Sequence, residues 1–161
     1  MNEKETAKIA QAVKDALGGC RVRNAKTVTL AAANEIIAGV IREAQRIGVN
    51  AVAAVSDAFA NPVSIQCADN SFPASYDIAL NKSYTSAAMK MPTSQLKDLS
   101  QPGGSLYGIQ NTNANKIVIF GGGVPLKDGE TVAGALGVSG GTESEDTYLA
   151  EFGAALWEEL Q

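Results

Sequence analysis

The feature that most narrows the fold of this chain is its second half, where strand-like runs follow one another with no helix between them. Residues 106–110, 117–120 and 131–139 each read as a strand, and the last two are separated by Gly121-Gly122-Gly123-Val124-Pro125 and a turn at Asp128-Gly129. Earlier, residues 49–55 form a short β-capable apolar run, 58–62 carry turn residues, and 63–67 alternate apolar with polar, which predicts a hairpin. A doubly wound parallel sheet needs a helix between most successive strands, and this order does not supply one. Five strands joined largely by short turns predict an antiparallel sheet with helices segregated against it, an α+β architecture.

The helices are read from periodicity. Leu30, Ala33, Ile37, Val40, Ala44 and Ile47 step by three and four residues and form one apolar stripe, with Thr29 as N-cap and Gly48 just past the end. Residues 75–91 form another helical stretch, ended by Pro92, and Thr93 caps a short turn through Leu99. The last helix starts at Thr142 with Glu145 three residues on, a capping box, and carries Tyr148, Leu149, Phe152, Leu156 and Leu160. At the other end, residues 2–17 read as a separate amphipathic helix with Ile9, Val13 and Leu17 along one face, stopped by Gly18-Gly19. The organisation expected is a helical appendage over 1–19 and one domain over 27–161.

Composition excludes several function classes. The 161 residues carry 13 Lys plus Arg against 17 Asp plus Glu, a net charge of −4 that argues against nucleic acid as a partner. No apolar run approaches the roughly 20 residues that span a bilayer, so no membrane partner is expected. The charged N-terminus lacks the apolar core of a secretory signal, and the expected location is the cytoplasm. There is no histidine, which removes Ser-His-Asp and Cys-His nucleophiles and histidine-containing metal sites. Cys20 and Cys67 are too few for an all-cysteine zinc site, and a reducing compartment favours free thiols.

The remaining motifs carry little chemistry alone. Gly137-Val138-Ser139-Gly140-Gly141 has the G-x-S-x-G spelling between a strand and a helix, but Ser139 has no histidine to take its proton. The backbone N–H groups of Gly140, Gly141 and Thr142 at the start of the last helix are a candidate anion seat. The Gly121-Gly122-Gly123 run lacks the spacing of a nucleotide-binding loop and fits either a bulge or a close approach by a ligand. Cys67, Met89 and Met91 can each pack inertly or ligate a soft metal.

Taken in order, these segments resemble the GlcG/HbpS-like family, which includes the C-terminal domain of PduO-type corrinoid adenosyltransferases. The resemblance rests on Thr29-Leu-Ala-Ala-Ala33, Ala53-Ala-Val-Ser-Asp57, the run from Ser75 through Asp77 to Thr85, Gln101-Pro-Gly-Gly104, Gly121-Gly-Gly-Val-Pro125 and Gly134-Ala-Leu-Gly-Val-Ser-Gly-Gly-Thr142. Lys90-Met-Pro-Thr93 and Leu106-Tyr-Gly108 place it nearest the microcompartment-associated branch. The resemblance implies a profilin-like fold, homo-oligomers and binding of haem or a related tetrapyrrole, with no uniform catalytic motif. It carries over Ser75, Asp77, Lys82 and Thr85 together with Gly122, Gly123, Ser139, Gly140 and Gly141 as ligand-binding positions, Lys82 as partner of a propionate.

The resemblance also implies histidine ligation of haem in some members. Here Cys67, Met89 and Met91 are the candidate axial ligands instead. The appended helix resembles the peptides that direct enzymes into bacterial microcompartments, with Ile9, Val13 and Leu17 docking on a shell or enzyme partner. The function expected is therefore an oligomeric small-ligand-binding protein, with haem as ligand and a corrinoid or flavin as alternatives. An enzyme acting on a small acid or on haem, and an assembly partner without ligand, stand beside it; no catalytic residue is assigned.

Overall fold

The computed structural model describes residues 27–161 and, ahead of them, the single position Lys8. The expected helix over residues 2–17, with Ile9, Val13 and Leu17, lies outside the described residues, as does Cys20.

The first helix, α1 (Leu30–Arg46), forms as the stripe predicts. The Thr29 hydroxyl accepts from the Ala32 N–H, and Ala33, Ile36, Ile37, Val40 and Ala44 are buried. Leu30, the first residue of the stripe, is exposed instead, because the helix begins there at the rim of the core. Gly48 takes φ 81°, letting Gly48 N–H reach the Gln45 carbonyl and Val49 N–H the Ala44 carbonyl, which satisfies two carbonyls of the last turn.

The chain then enters β1 (Val52–Asp57), turns through Ala60 at φ 64°, and returns as β2 (Pro62–Cys67). The Asp57 carboxylate fixes that turn by accepting from the Phe59 and Asn61 N–H groups. Two helices follow, α2 (Pro73–Met89) and the short α3 (Thr93–Leu99). Pro73 opens α2, where its missing N–H costs nothing, and Lys90 in a left-handed conformation closes it. A long connection leads to the hairpin β3 (Gly123–Asp128) and β4 (Thr131–Ser139), and the chain ends in α4 (Glu143–Glu159). The predicted capping box is present: the Thr142 hydroxyl accepts from Glu145 N–H and the Glu145 carboxylate from Thr142 N–H.

All pairings are antiparallel, and the sheet order is β2-β1-β4-β3. The α+β architecture is as expected, with four strands among the described residues rather than five. Residues 106–110 form local turns ending in a 3₁₀ turn, since Gly108 at φ 85° breaks the extended path and Ile109 N–H bonds back to the Leu106 carbonyl. Residues 117–120 are not assigned to a strand, and the Val118 N–H goes to the Thr85 hydroxyl. The glycines expected to form a loop supply the first residue of β3 at Gly123.

The sheet divides two cores of different character. One face packs on α1 and α4 through Ala53, Val55, Val124, Leu126, Leu136 and Val138. The other carries small residues, Val52 and Ala54 against Ala79 of α2. There Gly137 lets the backbones meet, for a Cβ at that position would lie 2.1 Å from the Ala79 carbonyl oxygen. That close approach holds the first turns of α2 over the C-terminal end of β4.

Candidate functional site

The C-terminal end of β4, the first turns of α2 and the N-terminal turn of α4 converge, and they enclose a cleft of about 290 Å³. Its lining runs from Phe72, Ala74, Ser75 and Ile78 on the α2 side, across Ser139, Gly140 and Gly141, to Glu143 and Asp146 on α4, with Phe120 from the preceding loop. A larger depression of about 650 Å³ lies along residues 142–151 of α4 and its cap alone. It has one wall, whereas the cleft is walled by three elements.

Beneath the cleft lies a buried ion pair. Lys82 is fully buried, and its Nζ donates to Asp146 Oδ2 at 2.7 Å and to the Val138 carbonyl at 2.8 Å. The Phe120 ring covers the ammonium with its centroid 5.0 Å away. Asp146 Oδ1 accepts from Gly141 N–H at 2.9 Å, so one carboxylate joins α2 to the turn after β4. Burial pushes the Lys82 amine below and the Asp146 carboxyl above their ordinary values, and their mutual attraction opposes both shifts. Two titratable groups perturbed in this way under a cleft mark it as the functional candidate.

Above the pair, Ser139 donates its hydroxyl to Ser75 Oγ at 3.2 Å, both side chains being buried at the cleft floor. On the rim, Glu143 accepts from Gly121 N–H and pairs with Lys97 at 2.7 Å; the Lys97 hydrogen bond is the main reason its carboxyl stays below the usual range.

The residues selected from sequence separate into groups. Ser75, Ser139, Gly140 and Gly141 line the cleft together. Lys82 lies under it with its ammonium already engaged, so it is not free to pair with a propionate. Gly122 packs on that ammonium, since a Cβ there would lie 2.6 Å from Nζ. Gly123 packs against α2 and Thr93. The Thr85 hydroxyl donates to the Asn81 carbonyl and accepts from Val118 N–H, fixing the loop ahead of β3. Asp77 is exposed and accepts from the Asn81 amide.

Two of the three N–H groups read as an anion seat are filled by the protein's own carboxylates, Gly141 by Asp146 and Thr142 by Glu145. Met89 and Met91 flank the C-terminal end of α2, and Cys67 is an exposed free cysteine on edge strand β2. Sequence reasoning missed Phe72, Phe120, Glu143 and Asp146. One signal was available for the pair: Ser75, Ala79, Lys82 and Ser86 step by four, three and four, which puts Lys82 on the small-residue face of α2 rather than in solvent.

Residues 28–155 match the family described as "Haem degrading protein HbpS-like". The chain belongs to the HbpS-like family. A 15.0 kDa protein from the dhaT–dhaS intergenic region of Citrobacter freundii is 45% identical over 134 residues, 83% of this chain and 94% of that protein. Corrinoid adenosyltransferase PduO of Salmonella typhimurium is 30% identical over 148 residues, 89% of this chain and 44% of PduO, so the chain spans less than half of that relative. The crystal structure of a PduOC:heme complex is 29% identical and superposes with a TM-score of 0.77, covering 81% of this chain and 94% of that one. These matches place this HbpS-like chain near the PduO branch.

The cleft does not fit haem iron as a ligand field. Among the described residues, no Cys, Met, Tyr or Lys side chain lines it, and the chain has no histidine.

Proposed function

We propose that this chain is a small-ligand-binding protein, that its ligand class is the tetrapyrroles with haem first among them, and that the ligand is seated at the cleft between α2 and the start of α4. The observation that carries this reading is the haem complex of the 29%-identical PduOC, which superposes on 81% of this chain. The cleft itself supports it. Phe72 and Phe120, both exposed, stand on its rim as apolar walls for a flat ring, and the Ser75–Ser139 hydroxyls give the floor a polar point.

Titration of the purified protein with haem, followed by absorbance, tests the reading. A saturable, stoichiometric change is expected in the wild-type protein and a loss of affinity in Ala74→Trp, which fills the cleft from an exposed position on its wall. Weak, non-saturating change in both proteins overturns it. A corrinoid and a flavin, run in the same assay, compete with haem as ligand.

Self-association and microcompartment residence complete the proposal. Phe59 and Tyr107 are 73% and 67% exposed, and apolar area of that kind is commonly covered between subunits. Sedimentation velocity measures the subunit number, and a monomer at micromolar concentration counts against assembly. Residues 1–19, through Ile9, Val13 and Leu17, would direct the chain to a shell or enzyme partner. Unchanged co-sedimentation with microcompartments after their deletion removes that role.

A further inference from the structure

The disagreement between the haem-associated family and the cleft has a specific consequence, which rests on the tetrapyrrole reading above. We infer that this chain holds a tetrapyrrole by its ring and leaves the central metal without a protein ligand, so that a metal-free porphyrin binds as well as haem.

Axial ligation requires a donor atom at the ring centre, and none of the candidates is there. Ser75 and Met89 lie at opposite ends of α2, 14 residues or about 21 Å apart at the helical rise. Met91 lies beyond the left-handed residue that ends the helix. Cys67 shares a cross-strand row with Val52 and Ser139, which puts it two strand spacings, about 10 Å, from the cleft floor. Cys67 is accordingly not among the residues that line the cleft. The hard oxygens that line the site are already engaged: the Ser75 and Ser139 hydroxyls with each other, Asp146 with Lys82 and Gly141 N–H, and Glu143 with Lys97 and Gly121 N–H.

The charge around the cleft gives the ring an orientation. The Asp146 and Glu143 carboxylates border it, while the nearby ammonium groups of Lys82 and Lys97 are already paired with them. Propionates entering the cleft would meet carboxylates whose cations are already taken. The apolar edge of the ring therefore goes inward between Phe72 and Phe120, and the propionates stay in water.

The test compares equilibrium titrations with haem and with metal-free protoporphyrin. The proteins used are wild type, Ala74→Trp, and a variant with both Cys20→Ser and Cys67→Ser. The expected result is equal affinity for the two porphyrins within about threefold, unchanged in the double-cysteine variant and weakened alike for both by Ala74→Trp. Haem binding at least about tenfold tighter than the metal-free ring overturns the inference while the tetrapyrrole reading stands, and loss of that advantage in the cysteine variant would assign the ligand to a thiolate. Equal affinities that Ala74→Trp leaves untouched overturn it by placing the ring elsewhere. Binding of neither porphyrin overturns the inference together with the reading beneath it.

Discussion

Removing either member of the buried pair leaves the other as an uncompensated charge, and the size of that effect follows from the geometry. The Lys82 and Asp146 side chains are 0% and 5% exposed, and their charged atoms are 2.7 Å apart. At an effective dielectric of about 20 their attraction is about 6 kcal/mol, set against a desolvation cost of several kcal/mol for each ion. The pair is thus close to break-even as a unit, yet Lys82→Met or Asp146→Asn alone should each cost about 3–5 kcal/mol.

With urea slopes of about 1–3 kcal/mol per molar, that loss moves the unfolding midpoint down by roughly 1–5 M. The double variant should cost at least about 2 kcal/mol less than the sum of the singles, since neither charge is then stranded. The amide introduced by Asp146→Asn also keeps an acceptor for Gly141 N–H. A pH series adds an independent readout. In Lys82→Met the buried Asp146 carboxyl is raised above its unfolded value, so the folded state holds the extra proton. Its stability is greatest in acid and is lost as pH rises through that raised value. Single-variant losses that add within about 0.5 kcal/mol, with a pH profile parallel to wild type, would refute the reasoning.

Gly137→Ala sets a Cβ 2.1 Å from one backbone atom of α2 and 2.5 Å from another, so neither neighbour can rotate away; a loss of about 3 kcal/mol in chemical denaturation is expected. Thr142→Ala removes the cap of α4 and should cost about 1 kcal/mol by the same measurement. Arg46 and Tyr148 hold the Glu43 carboxyl down from 4.5 to about 2, Arg46 contributing most. The stability this adds is present above pH 4.5 and is lost as pH falls toward 2, so Glu43→Gln should flatten that part of the acid-unfolding curve while wild type keeps its slope.

The parts of the fold legible in the sequence are those whose local signals agree with their tertiary setting. In α1 the apolar stripe, the Thr29 cap and Gly48 all point to one helix, and the structure has it within a residue or two at each end. Strand β4 spans the predicted residues 131–139, because a run buried along almost its whole length is written mainly in apolar and small residues. Residues 106–110 and 117–120 are also rich in apolar side chains, but their backbone groups are satisfied by local turns and by Thr85, a side chain more than 30 residues away from Val118.

The cleft was half legible. Ser75, Ser139, Gly140 and Gly141 stand out in the sequence and Asp146 meets Gly141 locally, but the α2 side of the cleft and Phe120 meet that turn only through tertiary packing. Pairing between residues 82 and 146 has no local signature. Only the burial of Lys82 could have been read, from the small residues that share its face.

The crossing of α2 over the sheet also separates the positions where change is tolerated from those where it is not. Where Gly137 meets the Ala79 carbonyl, the contact is main chain against main chain, and a larger residue at 137 would lift the helix bodily. Phe72 and Ala74, a few residues upstream on the same segment, are exposed and support nothing beneath them. A library that varies 72 and 74 while leaving 79, 82, 120, 137 and 146 alone should therefore yield folded proteins of differing ligand preference. The same diversity spent on the crossing should yield mostly insoluble chains.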